Sequence, residues 1–245
     1  MFQNNSSQSN WLSIADMMTA LMVIFMFIAI NYIIQVIEHT FVEEDIYNKL
    51  ENEFKEDIKD DKIELGPDGA IRFRLDDDNE EQNLFEDEGK TLAEPTEYFK
   101  GLLVDFLPRY WAVLTSDTTY FDFIKEIRIE GHADPQPYFK KGDAKIEEVS
   151  YLKNLELSQN RAKNVLKFLR EQPLYLDADD KVKSRMDFLF TSIGFSYSRM
   201  INDEGNFIYL DSNKVTNLDM SRRVEFRIVT SSDKLINKIG MENEN

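Results

Sequence analysis

Asp16 is the only charged residue among the first 37. It stands at the entrance of an apolar run, residues 17–37, in which only Thr19, Asn31 and Gln35 are polar. A carboxylate costs about 2.5–3.5 kcal/mol at the middle of a bilayer and less near its boundary. Two chemistries fit that position. Asp16 is either an interfacial residue favoured by the helix dipole, or a proton-binding carboxylate that faces a partner helix. Thr19 and Ala20 follow at i+3 and i+4, so the face around Asp16 is small there and permits close helix approach. Trp11 supplies an interface anchor just outside.

A second pair of charges lies far along the chain. Asp134 follows a strand-like run, and Arg161 sits on the helix that comes next. They read either as a structural ion pair or as a zwitterion site, with Asp134 taking an ammonium and Arg161 a carboxylate in bidentate fashion. His132 and Asp134 together suggest acid–base work, but the only other histidine is His39, just past the apolar run. No nucleophile motif, His-x-x-x-His pair or Gly-rich phosphate loop accompanies them, so catalysis is not expected. The run Asp76, Asp77, Asp78, Asn79, Glu80, Glu81 offers oxygen ligands for Ca²⁺. It lacks the spacing of a calcium loop and reads more simply as a solvated turn. No metal or organic cofactor is otherwise indicated.

These residues need elements to hold them. The apolar run spans about 31 Å as a helix, enough to cross a bilayer core. No Lys or Arg precedes it and no small-residue cleavage site follows, so it reads as a retained transmembrane helix over residues 11–37, after an uncharged tail, 1–10. Residues 38–62 form an acidic connector. Its apolar marks Ile46, Leu50, Phe54 and Ile58 recur every four residues, which predicts a helix with a narrow stripe for pairing with a second copy, or else a solvated spacer. Two alternating runs around Gly66-Pro67-Asp68-Gly69 predict a hairpin. Beyond it the pattern gives a helix from Tyr98 that stops at Pro108, a strand over 123–130, a helix from Leu157 to Arg170, and strands over 188–193 and 224–229. This β-α-β-α-β-β order over residues 63–230 predicts an α+β domain with helices on one face of the sheet. Residues 231–245 read as a C-terminal tail.

Charge separates the same regions. Residues 38–97 carry 22 acidic and 7 basic side chains, whereas 98–245 are nearly balanced. The overall charge of −17 argues against nucleic acid as a partner. The absence of cysteine excludes a thiol nucleophile and a disulfide framework.

Three ordered segments carry a resemblance. Ile127-Arg128-Ile129-Glu130-Gly131-His132-Ala133-Asp134, then Asn154-Leu155-Glu156-Leu157-Ser158-Gln159-Asn160-Arg161-Ala162, then Ser221-Arg222-Arg223-Val224-Glu225-Phe226-Arg227-Ile228 resemble the OmpA-type peptidoglycan-binding domain. The resemblance implies that Asp134 and Arg161 hold the diaminopimelate of a peptide stem, with Asn154 and Arg223 supporting the pocket. Ala133 and Ser221 depart from the family's Thr and Asn, and the stretch 136–153 is longer than usual and suits a lid or partner loop. The segment from Trp11 to Ala20 is similar to the opening of the membrane helix in MotB-type stator subunits, which places the family's proton-binding aspartate on Asp16. Together these imply a subunit of an ion-driven inner-membrane motor anchored to peptidoglycan. Such a subunit works as a homodimer inside a pentamer of a MotA/ZorA-like membrane protein, with its N-terminus cytoplasmic and its domain periplasmic. The uncharged N-terminus, Gly-His-Ala-Asp turn and acidic connector look most like the ZorB subunits of Zorya anti-phage systems. A flagellar MotB-type stator and a passive membrane-tethered wall anchor are the alternatives.

Overall fold

A computed structural model describes residues 5–74, 83–86, 93–135, 146–210 and 216–230. The chain divides into two compact units, one holding the N-terminal residues up to Asp45 and the other spanning Ile46–Ser231.

Helix α1 runs Asn5–Glu53, a stretch with no glycine or proline to interrupt it. Within it, Ser13–Ile34 is long and apolar enough to cross a membrane. These 22 residues rise about 33 Å, and none of the span is buried by the rest of the chain.

In the second unit, the last turns of α1 and the short α2 (Lys55–Lys59) pack on the domain. Ile46, Leu50 and Phe54 are buried there, and the Phe54 ring lies 5.1 Å from Phe106 of α3 (Glu97–Thr115). This corrects the expectation of a pairing seam. The stripe meets an apolar partner within its own chain, so those side chains are not available to a second copy. Arg109 closes the contact. Its guanidinium sits over the Phe54 ring, donates to Glu53 Oε1 (2.8 Å), Asp57 Oδ2 (2.8 Å) and Asp105 Oδ2 (2.7 Å), and also reaches the Glu53 carbonyl. Lys49 adds a bond to the Tyr120 hydroxyl at the start of the short α4 (Tyr120–Phe123).

The hairpin expected around Gly66–Gly69 forms from β1 (Glu64–Leu65) and β2 (Ile71–Arg74). Gly69, at φ +72°, makes the turn. The remaining strands are β3 (Ile124–Gly131), β4 (Phe190–Gly194) and β5 (Arg223–Thr230). They form one sheet in the order β1-β2-β5-β3-β4, antiparallel except for the parallel β3–β4 pair. Alternation gives the sheet two unlike faces. Ile71, Phe73, Ile127, Ile129, Val224 and Phe226 are buried on one. There Phe73 and Phe226 join Phe99, Phe106 and Tyr110 of α3 in a cluster of rings 4.9–6.0 Å apart. The other face buries Arg72, Arg223 and Glu225.

Three helices differ from expectation. Helix α3, capped by the Thr96 hydroxyl, continues through Pro108 to Thr115. Proline removes the bond to the Val104 carbonyl, but Val104 and Pro108 both face solvent, where water can serve that carbonyl. Beyond the proline, burial of Tyr110, Trp111 and Leu114 favours continuing the helix. Helix α5 (Ile146–Glu171) begins eleven residues before Leu157, so the second half of the long 136–153 stretch is helical, while 136–145 lie outside the described residues. After α6 (Pro173–Leu176), α7 (Asp180–Leu189) takes in Phe188 and Leu189, which the alternation assigned to a strand. The acidic run Asp76–Glu81 also lies outside the described residues.

Candidate functional site

Two glycines set the second unit's site. Gly131 and Gly194 stand opposite each other at the C-terminal ends of β3 and β4. A Cβ at Gly131 would lie 2.0 Å from the Ser158 carbonyl oxygen, and one at Gly194 would lie 2.4 Å from the Gln159 nitrogen. The backbone of α5 thus rests directly on the strand ends. Ser158, fully buried, accepts a hydrogen bond from Ser196 N (3.0 Å), and Ala133 N donates to the Ser196 carbonyl (2.8 Å). Gln159 Oε1 accepts from Gly194 N, and its Nε2 donates to the Ser192 carbonyl. These bonds lock the Gly131–Asp134 turn to the middle of α5.

Asp134 and Arg161 are placed by that lock, three residues beyond Gly131 and Ser158 respectively. Both are buried. The Arg161 guanidinium lies 5.3 Å from the Phe85 ring centre. The Asp134 carboxylate lies 3.3 Å from the guanidinium of Arg222, just before β5. Asn154, one turn before Ser158, is buried with its Nδ2 3.5 Å from Ser150 Oγ. The set therefore contains one carboxylate and two guanidiniums, and Arg222 is a member that the sequence reading omits.

Arg223 has a different place. It is fully buried, donates to Glu225, and reaches the Ser221 and Arg199 carbonyls. Glu225 also accepts from Arg72 (3.1 Å) and Arg227 (2.6 Å). Burial alone would raise the Glu225 pKa, but Arg223, Arg227 and Arg72 hold it well below the usual carboxylate range. Arg223 thus sits behind the turn in a charge network. The strand alternation carries the missing signal, because Arg223, Glu225 and Arg227 fall on one face of β5 and leave Arg222 to lie differently.

His132 belongs to this network too. Its backbone N donates to the Arg223 carbonyl, and its ring stacks on Phe195 at 5.4 Å and 14°. Burial, reinforced by the charge of Arg223, pushes its pKa down to about 4. Glu130, His132 and Glu225 offer donor atoms within 4.8 Å of one another, the spacing of a metal site. The chemistry does not fit a cation. Three guanidiniums already occupy Glu225, and Arg199 and Arg227 approach Glu130 to 3.5 and 3.4 Å.

In the first unit the candidate is Asp16. It is exposed on α1, inside the membrane-length span. Thr19 Oγ1 is turned back to the Ala15 carbonyl at 2.8 Å, so this hydroxyl is satisfied within the helix and leaves a low surface beside the carboxylate.

A bilayer-length helix bearing one carboxylate thus precedes an α+β domain with a charged cluster at the ends of two parallel strands. The chain belongs to the ZorB family. It is 31% identical to the Zorya protein ZorB of Escherichia coli strain Crooks, in an alignment that covers 98% of this chain and 96% of that protein. No family model matches the chain. Among solved structures, similarity extends to the cell wall anchor of the type VI secretion system of Pseudomonas aeruginosa (16% identity, TM-score 0.41, covering 74% of this chain and 97% of that one). The periplasmic domain of Helicobacter pylori MotB is similar to the same degree (15% identity, TM-score 0.41, 74% and 89%).

Proposed function

We propose that this chain is the wall-anchored B subunit of an ion-driven inner-membrane motor of the Zorya defence type. Asp16 binds and releases the transported proton, and the domain grips peptidoglycan outside the membrane. The observation that carries the wall-binding half is the arrangement of Asp134, Arg161 and Arg222, all largely buried at the strand ends. A carboxylate beside one guanidinium, with a second buried guanidinium on the adjoining helix, suits a ligand with one ammonium and neighbouring carboxylates, such as the free end of a diaminopimelate stem. Membership of the ZorB family supports the defence setting over a flagellar one.

One carboxylate-bearing helix would leave lipid around most of its circumference, so Asp16 needs surrounding protein. Two copies inside a ring of a larger membrane partner, with N-termini cytoplasmic and domains periplasmic, meet that need. The buried stripe at Ile46, Leu50 and Phe54 moves the copy-to-copy contact elsewhere. A passive anchor would not require the membrane carboxylate.

Sedimentation with purified sacculi tests the wall-binding half. The full chain in detergent co-sediments, and Asp134→Ala or Arg161→Ala lowers the bound fraction at least tenfold, a loss of more than about 1.4 kcal/mol. Undiminished binding by both folded variants assigns the pair a structural role and removes this half of the reading.

A further inference from the structure

Ser196 is a non-glycine residue in the left-handed region, at φ +51°. Such a conformation costs about 1–2 kcal/mol and persists only where its surroundings over-determine it. Here three hydrogen bonds do so. Ser196 N donates to Ser158 Oγ, its carbonyl accepts from Ala133 N, and its Oγ donates to the Tyr151 carbonyl at 2.9 Å. The strained residue ties the Asp134 turn, the middle of α5 and the first turns of α5 together. The next residue, Tyr197, meets Tyr151 edge to face, ring centroids 5.2 Å apart and planes at 87°. Both rings are only half-buried, in a region where α5 extends beyond the expected helix start.

We propose that Tyr151 and Tyr197 form a saccharide subsite beside the Asp134 site, stacking on a sugar ring of the wall's glycan strand. This rests on the wall-binding reading. A peptide stem is covalently joined to a sugar, and three extended residues span only about 10 Å. A polymer that places its zwitterion at Asp134 therefore brings a pyranose within reach of the adjoining rim. The C–H face of a pyranose packs on an electron-rich ring face. Tyrosine offers that face with few rotatable bonds to immobilise, and its hydroxyl can meet the sugar's own hydroxyls or N-acetyl group. An edge-to-face pair fixes both rings in advance, which lowers the ordering cost of binding.

Two defined probes test it with the full chain in detergent: a sugar-free stem tripeptide containing diaminopimelate, and the same tripeptide on its disaccharide. Tyr151→Ala and Tyr197→Ala each weaken binding of the disaccharide-peptide about fivefold and leave the sugar-free peptide within about twofold, while the Phe variants retain binding of both. Equal losses on the two probes, or no loss on either, overturn the subsite and make the pair a structural brace. Asp134→Ala separates the underlying reading from this one. It abolishes binding of both probes if the stem site is as proposed. Undiminished sugar-free peptide binding in that variant removes the stem reading itself, whatever the tyrosine variants do.

Discussion

Tyr110 buries its hydroxyl in the aromatic core, stacked on Phe106, and Oη has no hydrogen-bond partner among the described residues. Burial drives its pKa sharply up. An unsatisfied buried hydroxyl costs about 1–3 kcal/mol, so Tyr110→Phe stabilises the domain by about 1 kcal/mol, read as a higher urea midpoint. His132 gives a pH dependence. Its folded pKa, about 4, lies below the ordinary histidine value of 6.5. The unfolded chain therefore binds more protons between those values, and the stability that neutral His132 supplies is full above about pH 6.5 and is lost as pH falls towards 4. Urea midpoints from pH 7 to 5 fall more steeply in the parent than in His132→Gln; parallel slopes would show that His132 is not the group responsible. At this scale the sequence was partly informative. Asp134 and Arg161 stand out by charge, spacing and motif. Arg222 and Arg223 are adjacent and chemically identical, and only the β5 register separates the one beside Asp134 from the one beside Glu225.

Among the elements, the contact of the α1 end with α3 is the one that composition hid. A stripe of Ile46, Leu50 and Phe54 on an acidic helix has the same pattern whether its apolar partner is another copy or its own domain. Periodicity reports the face and not the occupant. Leu50 is fully buried, so Leu50→Ala costs about 2–5 kcal/mol. Arg109→Ala costs less, about 1–2 kcal/mol, because its guanidinium is part-exposed and water screens its three carboxylate contacts. Protease digestion of the two variants checks the placement. Cleavage appears first near residues 46–59 if they rest on α3 as described, and unchanged digestion contradicts it. Pro108 misled for a related reason, since a proline whose freed carbonyl faces water need not end a helix that is rewarded by burial further on. The edge strand β4 is closed in a way no pattern reveals. The Gln159 amide bonds Ser192 and Gly194 as a neighbouring strand would, which blunts the edge against pairing with other chains.

Across the whole molecule, the partition of charge was the most legible feature. One carboxylate in an apolar stretch corresponds to a membrane-length helix, whereas most of the acidic connector falls inside the compact unit Ile46–Ser231 together with the balanced region. What the sequence could not supply was the use of the connector, because the partner of its apolar stripe lies more than 40 residues away on α3. The proposed assembly has a direct consequence. Native mass measurement of the detergent-purified complex, co-expressed with a MotA/ZorA-like membrane partner, gives two copies of this chain with a larger number of partner subunits. A monomer, or a homo-oligomer without the partner, contradicts it.

The central claim is that Asp16 carries the ion, and Asp16→Asn in the assembled complex tests it most directly. The amide matches the carboxylate in shape but cannot cycle a proton. The account predicts that the variant assembles with its partner and sediments with sacculi like the parent, yet conducts no protons in reconstituted vesicles and gives no protection against phage. Proton flux and protection retained by the Asp16→Asn complex would contradict the motor reading.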